Sequence, residues 1–307
     1  MWRYVFNGAA WRHHRTHPPA LNPTAERLLR GLCEDGVART SLQELTGDEH
    51  LLGRLQAYAY ELESGQNSPP RRTGVDALPT SPGRPFLIEM LDSNRPLVDP
   101  RGLLAQFATQ TQLKGLVDTY FGLTSKISDI NIWRNIPGNN NGGAATQLWH
   151  RDLAEDRYLV KAFLYLEPVA IENGPFVFAR GTHLLSSSDS PRGGTVHDGI
   201  NYRVIDADRS ATLDQQAEIC TGPAGSLVLA DVRGYHRGGL TSSRSRFLLQ
   251  IRYTSATALR VKMLQAPQDV NPREWKRHLS YDLRRSNART ADAQASPANR
   301  TTANIRS

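Results

Sequence analysis

The spacing of apolar residues along the chain changes near Gly122. Before this point apolar residues recur every three or four positions, which predicts amphipathic helices. The first helix is predicted to begin with Asn22 as N-cap and Pro23 at its first position. Further helices are predicted after residues 46–49, whose Thr-Gly-Asp-Glu sequence matches a capping box, and after the Asp-Pro pair at 99–100.

Beyond Gly122 the chain consists of short apolar or alternating runs separated by Gly, Pro, Asp and Ser. This pattern predicts short strands joined by turns. One strand is predicted upstream at 37–41, and the others are predicted at 127–136, 158–166, 176–178, 202–205, 218–220, 226–230 and 247–253. Many short strands are typical of sandwiches and barrels. We therefore predict a mainly β protein whose core is a jelly roll, a cupin-like double-stranded β-helix, with the N-terminal helices packed outside.

The formal net charge of +7 is concentrated at the two ends of the chain. Residues 1–17 contain three arginines and no acid, and residues 284–307 contain five arginines and one aspartate, so the region between carries no net charge. Basic ends of this kind are usually solvated and weakly structured, so nucleic-acid binding is not indicated. We expect a basic, weakly structured arm over residues 1–20, a single catalytic domain over 21–283 and a disordered basic tail over 284–307.

Other features of the composition exclude several protein classes. The two cysteines, Cys33 and Cys220, offer neither a disulfide framework nor a zinc-finger spacing, and a reducing, cytoplasmic location is expected. No apolar run reaches the roughly 20 residues of a membrane span. Residues 64–83 are rich in Pro, Ser and Arg, which indicates either a lid over bound substrate or an inert surface loop. We expect a small-molecule partner, and neither a nucleic acid nor a membrane.

A candidate metal site is offered by His150 and Asp152, which are separated by one residue in a predicted strand. Side chains at i and i+2 of a strand point the same way, so these two groups converge without a turn. A third ligand is offered by His236, which ends an apolar run and is followed by glycines. Two histidines and one carboxylate form the facial triad of non-haem iron(II) oxygenases, which leaves coordination positions open for other ligands.

The motifs around these residues, in their order along residues 127–254, resemble those of the phytanoyl-CoA dioxygenase family of iron(II)/2-oxoglutarate oxygenases. The resemblance lies in His150-Arg151-Asp152, Lys161-Ala162-Phe163-Leu164-Tyr165-Leu166, Glu172-Asn173-Gly174-Pro175, Gly181-Thr182-His183, Gly225-Ser226-Leu227, His236-Arg237-Gly238 and the run from Arg246 to Tyr253. It implies a jelly roll in which His150, Asp152 and His236 bind iron(II). It also implies that Arg246 binds the distal carboxylate of 2-oxoglutarate, in agreement with the bidentate fit of a guanidinium to a carboxylate.

The activity that the resemblance implies is oxidation of an unactivated C–H bond by O2, with conversion of 2-oxoglutarate to succinate and CO2. The carboxylate of Asp152 favours hydroxylation over halogenation, since halogenation needs a small residue there to free a position for halide. Desaturation and ring formation remain open. Basic residues near the motif suggest a polar or anionic small metabolite or natural-product intermediate. Alternatives are a metal-binding jelly-roll enzyme without 2-oxoglutarate, such as an isomerase, and a non-catalytic jelly-roll binding protein; both would have no need of Arg246.

The remaining candidate residues concern the cosubstrate and the substrate. Arg244 and Arg252 are alternatives to Arg246. Lys161 is expected to face the interior, where an ammonium needs an anionic partner, either 2-oxoglutarate, the substrate or one of Glu155 and Glu167. Gln147 is also assigned to cosubstrate binding. The predicted lining of the substrate pocket consists of Asn131, Trp133, Phe163, Arg180 and His183.

Overall fold

The fold is taken from a computed structural model, which describes most of the chain. The residues it describes are 1–65, 80–81, 84–91, 98–137, 145–152, 156–184, 195–197, 202–258, 264, 267 and 271. The basic tail predicted at 284–307 lies outside the described residues, as does most of the loop or lid predicted at 64–83.

The helices lie mainly in the N-terminal part of the chain. After a π-helical turn at Trp2–Phe6 they are α1 (Gly8–Thr16), α2 (Pro23–Glu34), α3 (Leu42–Thr46), α4 (Leu51–Glu63), α5 (Leu103–Ala108), α6 (Thr111–Phe121) and α7 (Ala207–Gln215). The predicted start of α2 is confirmed, because Asn22 accepts a hydrogen bond from the Ala25 amide at 2.8 Å.

Two predicted helix starts are wrong by several residues. Thr46 ends α3 and accepts a hydrogen bond from the Asp48 amide, so it does not cap α4, which begins at Leu51. Asp99 accepts from the Arg101 amide in a turn, and α5 begins only at Leu103. In both cases the polar side chain satisfies a nearby turn rather than a helix end, a competition that short polar residues commonly show.

The described strands form two antiparallel sheets. In chain order they are β1 (Val37–Ser41), β2 (Thr80–Ser81), β3 (Arg84–Glu89), β4 (Lys126–Asn135), β5 (His150–Arg151), β6 (Leu159–Tyr165), β7 (Phe176–Ala179), β8 (Thr195–His197), β9 (Tyr202–Val204), β10 (Ala217–Cys220), β11 (Ser226–Asp231), β12 (His236–Gly238) and β13 (Arg246–Thr254). The larger sheet has the order β1-β11-β6-β13-β4-β3-β2, and the smaller has the order β10-β7-β12-β5-β9-β8. This arrangement confirms the predicted jelly-roll core with helices.

Alternation along the strands gives the larger sheet two different faces. On β6, Val160, Ala162 and Leu164 belong to a large apolar core shared with residues of α2 to α6, whereas Leu159, Phe163 and Tyr165 belong to a second cluster with Phe176 and Phe178 of β7. The first set faces the helices, and the second faces the smaller sheet. Every second residue along a strand of the larger sheet therefore faces the space between the two sheets.

The N-terminal arm is more ordered than its composition predicts. Residues 2–16 are largely helical, and Arg3 donates to the Tyr158 hydroxyl at 3.1 Å and to the Phe121 carbonyl at 3.0 Å. These bonds fix the arm to the body, which corrects the expectation of a weakly structured end. Within the described part of the chain, none of the helices has both the length and the apolar character to cross a membrane.

Candidate active site

Strand pairing brings the two predicted metal-binding histidines together. β5 and β12 are antiparallel neighbours in the smaller sheet, and His150 lies directly opposite His236. Directly opposed residues of a ladder project their side chains from the same face of the sheet. The two imidazole centroids are accordingly 4.2 Å apart. Asp152 follows His150 by two residues, and its amide donates to the Val232 carbonyl at 3.0 Å, which holds it beside the same pair.

Both imidazoles are oriented by their own backbone. Nδ1 of His150 lies 2.8 Å from the Leu148 carbonyl, and Nδ1 of His236 lies 3.0 Å from the Gly234 carbonyl. Because a carbonyl can only accept, each Nδ1 must carry the proton and donate it. The lone pair is then on Nε2 in both rings, and Nε2 is the nitrogen directed towards Asp152, at 3.9 Å for His150 and 3.8 Å for His236. Hydrogen bonding of this kind is how metal-binding histidines are held in one tautomer.

The protonation states of the cluster suit a metal ion. Burial lowers the pKa of His150 and, more strongly, that of His236, so both rings are neutral near pH 7. Burial opposes ionisation of Asp152, but the Lys161 ammonium and the two histidines lower the pKa of this carboxyl well below its usual range. Two neutral nitrogen donors and one carboxylate are the forms in which these residues bind metals.

The three side chains form a compact, enclosed group. One ligand atom from each of His150, Asp152 and His236 lies within 4.8 Å of the others, and each residue is only 3% exposed. The donor set is the one that non-haem iron(II) sites use, with positions left open around the ion. The residues present therefore fit an iron ion, and their role as its ligands stays a prediction.

Lys161 is placed beside the metal-ligand candidates rather than near Arg246. Its Nζ lies 2.6 Å from Asp152 Oδ2, and its side chain is 15% exposed. Of the two glutamates considered as partners, Glu167 pairs instead with Arg134, and Glu155 lies outside the described residues. The inward ammonium predicted from the alternation of β6 thus has a carboxylate partner, Asp152, that the sequence did not indicate.

Arg246 is buried at the start of β13, opposite Asn135 of β4. It donates to the Gly174 carbonyl and, at 3.2 Å, to Asn135 Oδ1, while its Nε is buried without a hydrogen-bond partner. Burial lowers the pKa of this guanidinium, and none of the described carboxylates forms an ion pair with it. A buried guanidinium in this situation is suited to an anionic ligand.

The distance from Arg246 to the histidines follows from the strand geometry. Nη2 of Arg246 lies close to Gly238, where a Cβ would come within 3.4 Å of it. Gly238 is two residues beyond His236 on β12, a separation of about 7 Å along a strand. Arg246 thus lies beside the strand that carries His236, about one pleat from that residue, and its role in binding 2-oxoglutarate stays a prediction.

The two alternative arginines are placed differently. Arg244 has a side chain that is 72% exposed and lies 3.9 Å from Glu172. Arg252 faces the interior, where it donates to the Ser128 hydroxyl and lies 3.9 Å from Asp129. Because Arg252 already has a carboxylate beside it and Arg244 lies in solvent, Arg246 remains the candidate for a carboxylate ligand.

Several predicted pocket residues face the space between the sheets. Phe163 packs on Phe176 with ring centroids 4.6 Å apart, and Phe176 lies 5.7 Å from the His236 ring. Trp133 is half-buried and packs against this inter-sheet cluster. Asn131 is fully buried, and its Nδ2 has no hydrogen-bond partner. Gln147 is buried at the end of a short 3-10 turn beside β12.

Arg180 and His183 are not brought to the metal-ligand candidates. Arg180 pairs with Asp35 at 2.7 Å, and its side chain is 54% exposed. His183 is buried against Gly36, and its Nε2 lies 3.2 Å from the Cys33 carbonyl. Both side chains thus connect the loop after β7 to the end of α2. Their predicted place in the substrate pocket stays a prediction, for which these contacts give no support.

The sequence analysis did not identify Arg203 as a residue that lies near the metal-ligand candidates. Arg203 of β9 lies directly opposite His150 of β5, so its side chain projects from the same face of the smaller sheet. The sequence signals for this position were weak, since β9 is only three residues long and is separated from His150 by more than fifty residues. Only the pairing of β5 with β9 shows the proximity.

Comparisons with known proteins agree with this geometry. The family model of phytanoyl-CoA dioxygenase matches residues 92–248, which is half of the chain. A comparison with curated protein sequences finds no match.

Among solved structures, the chain is similar to the epimerase SnoN in complex with Fe3+, alpha-ketoglutarate and nogalamycin RO, with 16% identity, a TM-score of 0.55 and coverage of 80% of this chain and 87% of that one. It is similar to the alpha-ketoglutarate-dependent carbocyclase SnoK from nogalamycin biosynthesis, with 17% identity, a TM-score of 0.51 and coverage of 80% and 90%. It is also similar to EctD from S. alaskensis with bound Fe, with 16% identity, a TM-score of 0.54 and coverage of 87% and 89%. At these identities the structural matches show a shared fold.

The family match covers α5, α6, the strands from β4 to β12 and the three residues of the buried His-Asp-His cluster. The chain therefore belongs to the phytanoyl-CoA dioxygenase family of oxygenases that depend on iron and 2-oxoglutarate.

Proposed function

We propose that the protein is an iron(II)/2-oxoglutarate-dependent hydroxylase acting on a C–H bond of a polar or anionic small molecule. The observation that carries this proposal is the buried cluster of two neutral imidazoles and one ionised carboxylate, set about one strand pleat from a buried guanidinium. The cluster suits a metal, and the guanidinium suits the far end of a diacid. A metal-binding enzyme without 2-oxoglutarate would leave Arg246 without an anionic partner.

Each residue of the site has a separate role. His150, Asp152 and His236 would hold the iron, through Nε2 of each imidazole and the carboxylate. When bound, iron and 2-oxoglutarate supply the oxidation of a C–H bond by O2. Lys161 fixes the carboxylate of Asp152 by a hydrogen bond of 2.6 Å, and Arg246 would take the distal carboxylate of 2-oxoglutarate. Phe163 and Phe176 pack beside His236 and exclude water from that side of the cluster.

Hydroxylation is the reaction that we propose for this site. The carboxylate at Asp152 occupies the position that a halide would need, so halogenation is disfavoured. The similar structures include an epimerase and a carbocyclase, whose reactions differ from hydroxylation. Incorporation of one atom from 18O2 into the product distinguishes hydroxylation from both, because epimerisation and ring closure leave no new oxygen in the product.

We further propose that residues 21–283 form one catalytic unit in a reducing, cytoplasmic location. Support comes from the shared apolar core, in which Leu28 and Leu32 of α2 cluster with Ile130 and Ile132 of β4. The helices therefore share a core with the sheet that carries the site. Cys33 and Cys220 are free thiols, and thiols are kept reduced in such a compartment.

The decisive experiment is anaerobic addition of iron(II) and then 2-oxoglutarate to the metal-free protein. We expect a weak visible charge-transfer band from the keto-acid chelate and, after admission of air, release of succinate. In Arg246→Gln the band should need a much higher 2-oxoglutarate concentration, while Arg244→Gln should match the wild type. Iron binding without a band would favour an enzyme that does not use 2-oxoglutarate. Failure to bind iron would favour a non-catalytic binding protein.

A further inference from the structure

The N-terminal arm, residues 1–17, is held against the body of the protein by one of its sides. Arg3 donates to a hydroxyl and a carbonyl of the body at 3.1 and 3.0 Å, and the Thr124 amide donates to the Ala10 carbonyl at 3.1 Å. Ala10 and Trp11 also pack against the large apolar core. These contacts fix the orientation of the arm, and they therefore also fix which of its side chains point into solvent.

The solvent side of the arm exposes four large apolar side chains close together. They are Met1, Tyr4, Val5 and Phe6, with exposed fractions of 83%, 61%, 64% and 54%. All four lie within the first six residues, where the Val5 amide donates to the Met1 carbonyl in a helical turn, so they form one patch. Single exposed apolar residues are normal on a protein surface, whereas a group of them marks an interaction site.

Basic side chains extend this surface beyond the apolar patch. Tyr4 packs edge-on to Trp11 with ring centroids 5.2 Å apart, and the Arg15 guanidinium lies 5.4 Å from the centroid of the Trp11 ring. Arg12 and Arg15 are both exposed, and residues 1–17 contain no acid. The solvent side thus has an apolar end and a basic end joined through Trp11. The arm surface is defined as Met1, Tyr4, Val5, Phe6, Arg12 and Arg15.

The composition of the arm surface suits an anionic membrane better than a protein partner. Each partner in a stable protein interface contributes roughly 800 Å², which is more than four partly exposed apolar side chains supply. A bilayer surface needs less area, because a few apolar side chains insert at the headgroup level while arginines are attracted to anionic lipids. Tyrosine and tryptophan, which here connect the apolar end to the basic end, are enriched at that level of a membrane.

We propose that the arm surface binds the face of a membrane that contains anionic lipids, without crossing it. Val5 and Phe6 enter the headgroup region, and Arg12 and Arg15 contact the negatively charged headgroups. The sequence indicated no membrane partner, because the apolar residues of the arm are too few for a span and their exposure is known only from the structure. This inference does not depend on the reaction at the metal site.

Sedimentation with vesicles tests the inference on the full chain. Sucrose-loaded vesicles are made from phosphatidylcholine alone and from an equimolar mixture of phosphatidylcholine and phosphatidylserine. The bound fraction of the protein is measured against lipid concentration, at low and at high salt. We expect saturable binding to the mixed vesicles and much weaker binding to the neutral ones. Binding to the mixed vesicles should decrease at high salt, because salt screens exposed charges.

Two double variants separate the apolar and the basic contributions. Val5→Ser with Phe6→Ser removes two exposed apolar side chains, and Arg12→Gln with Arg15→Gln removes two exposed charges. Each pair should weaken binding to the mixed vesicles about tenfold or more, the effect of losing two side chains that contact the bilayer. The apolar variant should keep the salt dependence of the wild type, whereas the basic variant should lose most of it.

The matched controls are double variants at exposed positions outside the arm. Ile205→Ser with Ile219→Ser changes two exposed apolar residues, and Arg30→Gln with Arg244→Gln changes two exposed arginines. Both controls should bind the mixed vesicles as the wild type does. Thermal unfolding followed by circular dichroism shows that each variant is folded at the temperature of the assay.

Four results would overturn the inference. If the wild type binds neither kind of vesicle, the arm surface does not bind membranes. If it also forms a dimer in analytical ultracentrifugation that the apolar variant does not form, a second copy of the chain occupies the arm surface instead. Equal binding to neutral and mixed vesicles would exclude recognition of anionic lipids. If both arm variants bind as tightly as the wild type, another part of the protein contacts the lipid.

Discussion

At the scale of single residues, Arg246 tests whether the shape of a cation matters in addition to its charge. Arg246→Lys keeps the positive charge but removes the fork that donates two parallel hydrogen bonds to a carboxylate. We expect affinity for 2-oxoglutarate to fall about tenfold or more, with iron(II) affinity unchanged, as measured by anaerobic titration of the charge-transfer band. Arg244→Lys, at a side chain 72% exposed, is the matched control. Equal affinities in the two variants would remove Arg246 from the cosubstrate site.

Asp152 has two roles, and one substitution separates them. Asp152→Asn keeps the size of the side chain but removes the charge that offsets Lys161 and would hold iron. We expect iron(II) affinity to fall more than tenfold, and the metal-free protein to lose about 3 kcal/mol of unfolding free energy because a buried ammonium loses its partner. Anaerobic iron titration and urea denaturation measure the two effects.

The control for this substitution is Asp48→Asn, at a side chain 39% exposed that pairs with Arg54 on the surface. An exposed ion pair contributes little, so both measurements should match the wild type. An Asp152→Asn protein of unchanged stability would show that Lys161 does not depend on this carboxylate.

The residues of the site differ in how clearly the sequence alone identifies them. His150 and Asp152 are two positions apart in one strand, so their convergence follows from strand geometry alone. His236 was found because an apolar run ends there before glycines, a signal that family motifs reinforced. Arg203 has no such local signal, since its proximity to His150 arises from a ladder between distant segments. Charged residues of that kind can be identified only once the pairing is known.

At the scale of secondary-structure elements, the turn before β7 couples stability to the cosubstrate site. Gly174 has a φ of +66°, its carbonyl accepts a hydrogen bond from Arg246, and an added Cβ would overlap the Gly239 carbonyl. Gly174→Ala therefore adds a steric clash to the cost of a left-handed backbone, which is itself about 1–2 kcal/mol. We expect a total loss above about 2 kcal/mol in urea denaturation, together with a raised KM for 2-oxoglutarate.

Gly47→Ala is the control for the turn substitution. Gly47 has a similar φ of +71°, but an added Cβ would meet nothing within 4 Å. Only the backbone cost should remain, about 1 kcal/mol, and the KM should not change. If the two variants lose the same stability, the contact between Gly174 and Gly239 has no effect beyond the backbone conformation.

The strands were better predicted than the helix boundaries, and the reason is physical. Alternation of period two survives along 159–165 and 246–254 because each of these strands is buried on both faces with different partners. The start of a helix depends instead on which of several nearby polar side chains forms the hydrogen bond to the first free amides of the helix. Thr46 and Asp99 each bind a turn amide, so the cap consensus placed two helices too early. The short helix α3, which ends at Thr46, was missed for the same reason.

At the scale of the whole molecule, the sequence indicated the architecture but not the order of the strands. Period and turn residues predicted a jelly roll of short strands with helices outside, and the described structure has this arrangement. The neighbours of each strand depend on pairing across long stretches of chain, for example β1 with β11. No local pattern specifies such a partner, so the pairing of β5 with β12, which places residues 150 and 236 opposite each other, did not follow from periodicity.

Because of two groups buried between the sheets, we expect the free energy of unfolding to fall at alkaline pH. Burial raises the pKa of the Cys220 thiol to about 12 and that of the Tyr165 hydroxyl to about 12. The unfolded chain releases these protons at lower pH, from about 9 for the thiol and about 10 for the phenol. Between those values and about 12 the folded state binds more protons than the unfolded state, so stability falls as pH rises.

The slope of unfolding free energy against pH isolates the contribution of Cys220. A fully developed difference of one proton changes this free energy by about 1.4 kcal/mol per pH unit. In urea denaturation between pH 8 and pH 11, Cys220→Ala should therefore decline less steeply than the wild type, even though the smaller side chain lowers its stability at pH 8. Cys33→Ala, at an exposed thiol, should keep nearly the wild-type slope. Parallel declines in all three proteins would show that the thiol between the sheets ionises as readily in the folded state as in the unfolded one.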